Sequence, residues 1–462
     1  MVAFLNGILW DKILLYAIPF IGLFLTLRTR FVQITQLKHS LAGLVGNQAN
    51  KHRQISPFGA LCTALSATMG TGNIVGVATA MTLGGPGALF WMEVAAFFGM
   101  AIKYAEGTLA VHFRRQEGQE PWGGPFFYIE DGLGKKWRPL AKCFALFGVV
   151  AGTLGIGTLA QGNSVATALQ GAVGCQKGST AYAVTNLATA TILVLLVGMV
   201  IWGGTVRIAK ISAYLVPFMS VVYAGLLLWG LVYAAPKLPQ AIACIWQGAF
   251  DPSAVMGAAS GITLKTAMRV GVGRGVFSNE AGLGSSAIAD ATAQTNCATQ
   301  QGLVSMLTVL IDTMVVCTLT GLVVVASGAY QFPRLDGAQI TTYALCRLLP
   351  LSPAVIAWLL AGCLAIFAFT GIYGWYFYAY QCLRYLCPKA SVQRIYPWVF
   401  LAMVGASPFV STTQVWGFSD LCNGLMAIPN LIALTVLSGI VTKQTKEMTK
   451  QRKKRRSVKN WF

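Results

Sequence analysis

The chain has 462 residues, 55% of them hydrophobic and only 10% charged, and its mean hydropathy is +0.63. Soluble domains carry roughly 25% charged residues, so this composition excludes a soluble enzyme or binding module and implies a polytopic membrane protein. The net charge of +20 does not point to nucleic acid, because Lys and Arg gather in alternate loops and the tail, the pattern that orients membrane spans.

In chain order, 13–27 is a first apolar span that tolerates Pro19. It lacks a small-residue cleavage site and is followed by Arg28, Arg30 and Lys38, a stop-transfer flank. The next apolar run, 57–83, is interrupted by Met69-Gly70-Thr71-Gly72-Asn73. Two glycines among small polar residues let a helix unwind at mid-depth, and the freed backbone groups must then be satisfied by protein, water or a ligand. N–H groups at a helix end suit a carboxylate, and freed carbonyls suit a cation. A glycine-rich packing face for a neighbouring helix is the alternative reading.

After the Gly84-Gly85-Pro86 turn come a span at 87–113, a basic loop and spans at 140–169, 182–202 and 208–234. The stretch 238–250 is too short to cross and amphipathic, so it is expected along the surface. Segment 254–289 is apolar but too long for one straight span at about 1.5 Å per residue. It carries Gly271, Gly273, Gly275, Gly282 and Gly284 together with Arg269, Arg274 and Glu280, so a second broken helix is expected there. Spans at 302–327, 353–386, 396–410 and 415–441 bring the total to about eleven. The tail sets one acid, Glu447, against many bases, including Lys453-Lys454-Arg455-Arg456, and reads as a stop signal and an anchor to anionic membrane lipid.

With the N-terminus outside, loops 28–56, 114–138, 203–210 and 384–394 and the tail fall on the cytoplasmic side of a cell membrane. The chain divides into an N-terminal span and loop (1–56), a first set of five spans (57–234), an extracellular surface helix (235–252), a second set of five (253–441) and the cytoplasmic tail (442–462). Each set opens on a broken helix and the two enter the membrane from opposite sides, as an inverted repeat requires. The fold class is therefore an all-α membrane protein with one extra span before a five-plus-five core.

Metal and catalytic centres are not indicated. Cys62, Cys143, Cys317, Cys363 and Cys382 lie in apolar runs without ligand spacing, and His39, His52 and His112 lie in or beside basic loops. Nothing resembles a nucleophile–base constellation.

Several motifs resemble the alanine/glycine:cation symporter family: Ser66-Ala67-Thr68-Met69-Gly70-Thr71-Gly72-Asn73, Gly123-Gly124-Pro125, Phe277-Ser278-Asn279-Glu280-Ala281-Gly282, Ile311-Asp312-Thr313 and Met426-Ala427-Ile428-Pro429-Asn430. The likeness covers nearly the whole chain and implies a leucine-transporter-type core. It also implies symport of alanine, glycine or, in some members, glutamine, with sodium or protons. By resemblance, the substrate carboxylate would meet Gly70, Thr71, Gly72 and Asn73. The second break would close the site around Phe277, Ser278 and Asn279. Gln161 and Asn163 would reach the substrate and Trp375 would wall its side chain. Sodium would be held by carbonyls of Ser66 and Met69 with the Thr370 hydroxyl. Bland alternatives stand beside these: Trp375 as core packing, Gln161 and Asn163 as inter-helix hydrogen bonds.

The chain departs from the family at three places. Gly371 stands where a second hydroxyl follows Thr370, Tyr380 replaces an acid, and Glu93 replaces a Trp. A missing ligand weakens the case for sodium and leaves protons open, and Gly371 also leaves room for a larger substrate. Among the other charges, Glu280 is expected to pair or to accept backbone amides at its break, Asp312 to pair with Arg269 or Arg274, and Lys103 to pair with Glu106 three residues on. The resulting expectation is sodium-coupled import of a small neutral amino acid by alternating access, with no other cofactor and no obligate protein partner. A proton-coupled or glutamine-type carrier, a passive facilitator and a membrane enzyme are the competing readings.

Overall fold

The computed structural model describes residues 1–45, 55–117, 120–256, 262–295, 297–332, 335 and 337–459. Helix starts follow local capping chemistry. Ser56, Ser179 and Ser352 each accept a hydrogen bond from the backbone N–H three residues on, and Pro57 and Pro353 occupy first-turn positions where a missing N–H costs nothing.

The helices that matter for the site are α1 (Val2–Arg28), α2 (Pro57–Thr68), α3 (Gly72–Gly84), α4 (Gly87–His112), α5 (Arg138–Leu154), α6 (Leu159–Val173), α7 (Thr180–Ile201) and α8 (Gly204–Tyr233). They continue as α9 (Leu238–Phe250), α10 (Leu264–Asn279), α11 (Ser285–Asp290), α12 (Ala298–Ser327), α13 (Gly337–Leu348), α14 (Pro353–Leu386), α15 (Ala390–Ala406) and α16 (Thr412–Lys459).

Among the described residues, eight helices are long and apolar enough to cross a membrane, and the bent pair α2–α3 makes nine. The other two expected spans are α10, with 16 residues, and α15, with 17, each short of a full crossing as a single helix. The chain is a multi-pass membrane protein, and its rim is apolar: Leu187, Leu195, Val221 and Val232 on α7 and α8 are all exposed.

Helices approach closely where glycines face each other. A Cβ on Gly302 of α12 would sit 2.2 Å from Thr108 Oγ1 of α4, and one on Gly107 of α4 would sit 2.8 Å from Ser305 Cβ. In lipid, such backbone proximity supplies the dispersion energy that the hydrophobic effect does not. The surface stretch 238–250 forms helix α9, with Trp91 Nε1 of α4 donating to Ala249 O at 2.9 Å.

Four segments differ in detail from a plain run of spans and loops. The span 140–169 lies within one membrane-length helical run, 135–173, which is interrupted between Leu154 and Leu159. The segment around 123–128 is not a plain loop: Pro125, Phe126, Phe127 and Tyr128 are buried. A two-stranded ribbon precedes it, pairing Arg115–Glu117 with Glu120–Trp122, so the fold is not purely helical. The tail continues α16 as far as Lys459. Met448 is 7% exposed and Thr445 Oγ1 bonds Tyr104 Oη at 2.8 Å, so packing holds this polar stretch helical. His52 and the side chains of Lys453, Lys454, Arg455 and Arg456 lie outside the described residues.

Candidate functional site

The first break is real. Helix α2 ends at Met69, whose ψ is 92°, and α3 restarts at Gly72 through a widened turn, bent by 52°. The freed amides are met by side chains: Gly70 N donates to Asn73 Oδ1 at 3.1 Å and Thr71 N to Gln161 Oε1 at 3.3 Å. Gln161 of α6 therefore lies against the break. A Cβ on Gly70 would fall 2.9 Å from Gln161 Nε2, and one on Gly371 of α14 3.1 Å from the same atom. A side chain at Gly371 would therefore press on the Gln161 amide.

The second break follows α10 instead of falling within Phe277-Ser278-Asn279, which form the last helical turn. Glu280, Gly282 and Gly284 have φ of 55°, 91° and 77°, left-handed backbone that costs little at glycine and strains Glu280. Asn279 is turned toward this break, accepting from Ala281 N at 2.9 Å and donating to Thr313 Oγ1 at 3.1 Å.

The two breaks meet. A Cβ on Gly72 would lie 3.4 Å from Ser278 Cα and 3.5 Å from Phe277 Cδ1. Asp312 of α12 joins them, accepting from Asn73 Nδ2 at 2.8 Å, Ser278 Oγ at 2.6 Å and Thr313 Oγ1 at 2.9 Å. Asp312 is fully buried, and no salt bridge reaches it among the described residues. The expected pairing with Arg269 or Arg274 does not occur: Arg269 pairs with Asp11 at 3.1 Å and Arg274 with Asp420 at 3.9 Å. Both arginines instead line a cavity beside the start of α1. Glu93 of α4, half-buried, faces Thr318 and the Asp312 charge.

The break amides at Gly282 and Gly284 donate to Glu106 Oε1, at 3.1 and 3.2 Å, and Asn430 Nδ2 joins them at 2.7 Å. Glu106, not Glu280, takes the backbone. Glu280 accepts instead from the Ser285 hydroxyl. The Lys103–Glu106 pair forms, at 3.9 Å with both side chains fully buried, so it is part of the break's support and not a surface pair. Lys103 Nζ also donates to Ser286 Oγ at 2.6 Å. Tyr128 donates to Asn430 Oδ1, extending this web to the buried 125–128 segment. Nearby and outside the spans, Arg114 donates to Ala293 O and Thr295 O, and burial lowers its guanidinium below the ordinary value.

The remaining candidates separate. Ser66, Met69 and Thr370 are buried where α2, α8 and α14 touch: Ser66 Oγ would meet a Cβ on Gly374 at 2.8 Å, and Thr370 Oγ1 lies 3.4 Å from Met219 Sδ. Ser66 and Thr370 donate to Thr63 O and Phe367 O, which leaves their oxygen lone pairs open. Trp375, one turn beyond Gly371, is fully buried, its Cβ 2.7 Å from where a Gly157 side chain would begin. Asn163 points elsewhere, donating to Val410 O at 2.7 Å. Phe277 stacks at 5.1 Å on Trp416, with Arg274 over both rings. Arg274 also lines a cavity of about 600 Å³ together with Asn6, Trp10, Asp11, Arg269 and Asp420.

Sequence reasoning missed the roles of Glu106 and Asp312, although an acid inside an apolar span is itself the signal that marks such positions.

Two opened helices touch inside the bundle beside buried carboxylates, the arrangement of a membrane transporter. The chain belongs to the sodium:alanine symporter family, whose match runs over residues 1–460. It is 41% identical to the sodium/alanine symporter AgcS of Methanococcus maripaludis, over 97% of this chain and 96% of that one. It is 36% identical to the probable sodium/glutamine symporter GlnT of Bacillus subtilis (97% and 90% covered). It is 33% identical to the putative sodium/proton-dependent alanine carrier protein YrbD of the same organism (98% and 93% covered).

Proposed function

We propose that this protein imports a small neutral amino acid, alanine or glycine, together with sodium, by alternating access in the cell membrane. The observation that carries the reading is the contact of the two breaks at Gly72 and Ser278 and their joint tether to Asp312. The substrate carboxylate is received at Gly70–Asn73, with Gln161 and Asn73 yielding the break amides they now cap. Phe277 and Trp375 bound the side chain, and Gln161 filling the space beside Gly371 favours a small substrate over glutamine.

The cation reading rests on charge. A fully buried carboxylate with only neutral partners is expensive in a membrane interior unless a cation joins it. The Asp312 carboxylate and the Ser278 hydroxyl offer hard oxygens, and Ser66, Met69 and Thr370 offer a second set, the chemistry that suits sodium. If the ion favours the state whose break can receive the carboxylate, each ligand raises the other's affinity. The five-plus-five repeat supplies the moving parts: one bundle rocks against the other about the shared site. In this reading the N-terminus lies outside, the C-terminus is cytoplasmic, and substrate arrives through the cavity lined by Arg269 and Arg274.

Uptake of labelled alanine, glycine and glutamine into proteoliposomes tests this, with sodium and proton gradients imposed separately. Accumulation of alanine or glycine driven by sodium is the expected result. Accumulation driven only by protons replaces the coupling ion, and equilibration without accumulation replaces the symporter with a facilitator.

A further inference from the structure

At the opposite face, the end of α1, the turn after it and the far part of α16 enclose a cavity of 510 Å³, within the roughly 300–1,000 Å³ range of small-molecule sites. Four cationic side chains line it: Arg28 and Arg30 from the α1 end, Lys446 and Lys450 from successive turns of α16. No carboxylate is among the lining residues, and the rest are threonines and Gln36. None of the ion pairs among the described residues includes any of the four. Neutral partners hold the walls in place: Arg28 Nη1 donates to Ser438 Oγ at 2.6 Å and Arg452 Nη1 to Gln36 Oε1 at 2.7 Å.

Four like charges around one concavity repel each other unless an anion sits among them. The donor set suits phosphate oxygens, with planar guanidinium forks on one wall and ammonium point charges on the other. The same stretch of chain exposes Leu27, Phe31 and Ile34, by 56%, 42% and 60%. These apolar side chains flank the cations where the span ends, a setting that matches a phosphate carried on acyl chains. The positive-inside pattern puts this face on the cytoplasmic leaflet, which is the anionic one.

We propose that this cavity is a headgroup site for an anionic phospholipid, which clasps the end of α1 to α16 by bridging Arg28 and Arg30 to Lys446 and Lys450. The tail's expected lipid contact is thereby assigned to a pocket shared with the first span instead of to a diffuse patch.

Native mass spectrometry of the full chain tests it, with phosphatidylglycerol, phosphatidylcholine and inorganic phosphate as probes. The unmodified protein is expected to retain phosphatidylglycerol about fivefold or more over phosphatidylcholine. The double variant Arg30→Gln/Lys450→Gln falls to the phosphatidylcholine level, while Lys135→Gln/Lys136→Gln, exposed cations of another loop, keeps the preference. Melting temperatures in phosphatidylcholine alone verify that each variant is folded. Equal loss in both double variants, or no preference in the unmodified protein, overturns the site. Displacement of phosphatidylglycerol by millimolar inorganic phosphate overturns the lipid assignment.

Discussion

Asn73 and Asp312 are joined across 239 residues of chain: Asn73 Nδ2 donates to the Asp312 carboxylate at 2.8 Å and to its backbone carbonyl at 3.1 Å. Asn73 also caps Gly70 N. One amide therefore reads both the geometry of the first break and the charge on α12, and the Ser278 hydroxyl adds the second break to the same carboxylate.

Asp312→Asn keeps the shape and removes the charge. Hydrogen bonds to charged groups contribute about 1.5–3 kcal/mol each, so the loss of even one charged interaction predicts a fall in uptake of about tenfold or more. Sodium dependence is expected to weaken with it, measured as uptake rate against sodium concentration.

Gly371→Ser places a side chain 3.1 Å from the Gln161 amide. Overpacking costs about 1–3 kcal/mol, and here it falls on the group that caps Thr71, so the KM for substrate is expected to rise about tenfold. Adding Gln161→Ala relieves the crowding, and a double-mutant cycle should show strong coupling between the two positions.

Glu106→Ala leaves two break amides without their acceptor and Lys103 without its counter-charge. Breaking a buried pair this way costs about 3–5 kcal/mol, enough to lower the yield of folded protein and its melting temperature markedly. Glu106→Gln keeps an acceptor oxygen for Gly282 and Gly284, so its melting temperature is expected to lie between those of Glu106→Ala and the unmodified protein.

Gly87→Ala tests the seating of α9. The added carbon would sit 2.0 Å from Gly248 O, a backbone atom that cannot step aside. A loss of thermal stability is expected, with the Trp91–Ala249 bond the first to open. Proteolysis within 235–252 should then speed up.

The elements most legible in the sequence are those governed by local chemistry. Span 353–386 and surface helix 238–250 appear with the bounds that hydropathy gives, and the glycines at 70, 72, 282 and 284 sit in or at the edges of the breaks. What stayed hidden depends on which helix lies beside which. Glu106 looks like half of a local pair until its 176-residue reach to Gly282 is seen. Asp312 looks like a partner for the nearest arginines, yet their positions on α10 face Asp11 and Asp420. That the tail stays helical is likewise hidden, because its helix is held by Tyr104 and by burial of Met448, neither of which hydropathy registers.

Transport by a shared site requires linkage between the two ligands. Alanine binding to the purified protein should be measured by calorimetry across a sodium series at constant ionic strength, and sodium binding across an alanine series. Joint occupancy of the paired breaks predicts that each ligand tightens the other by the same factor. Alanine affinity that does not change with sodium would contradict a site shared by the substrate and its coupling ion.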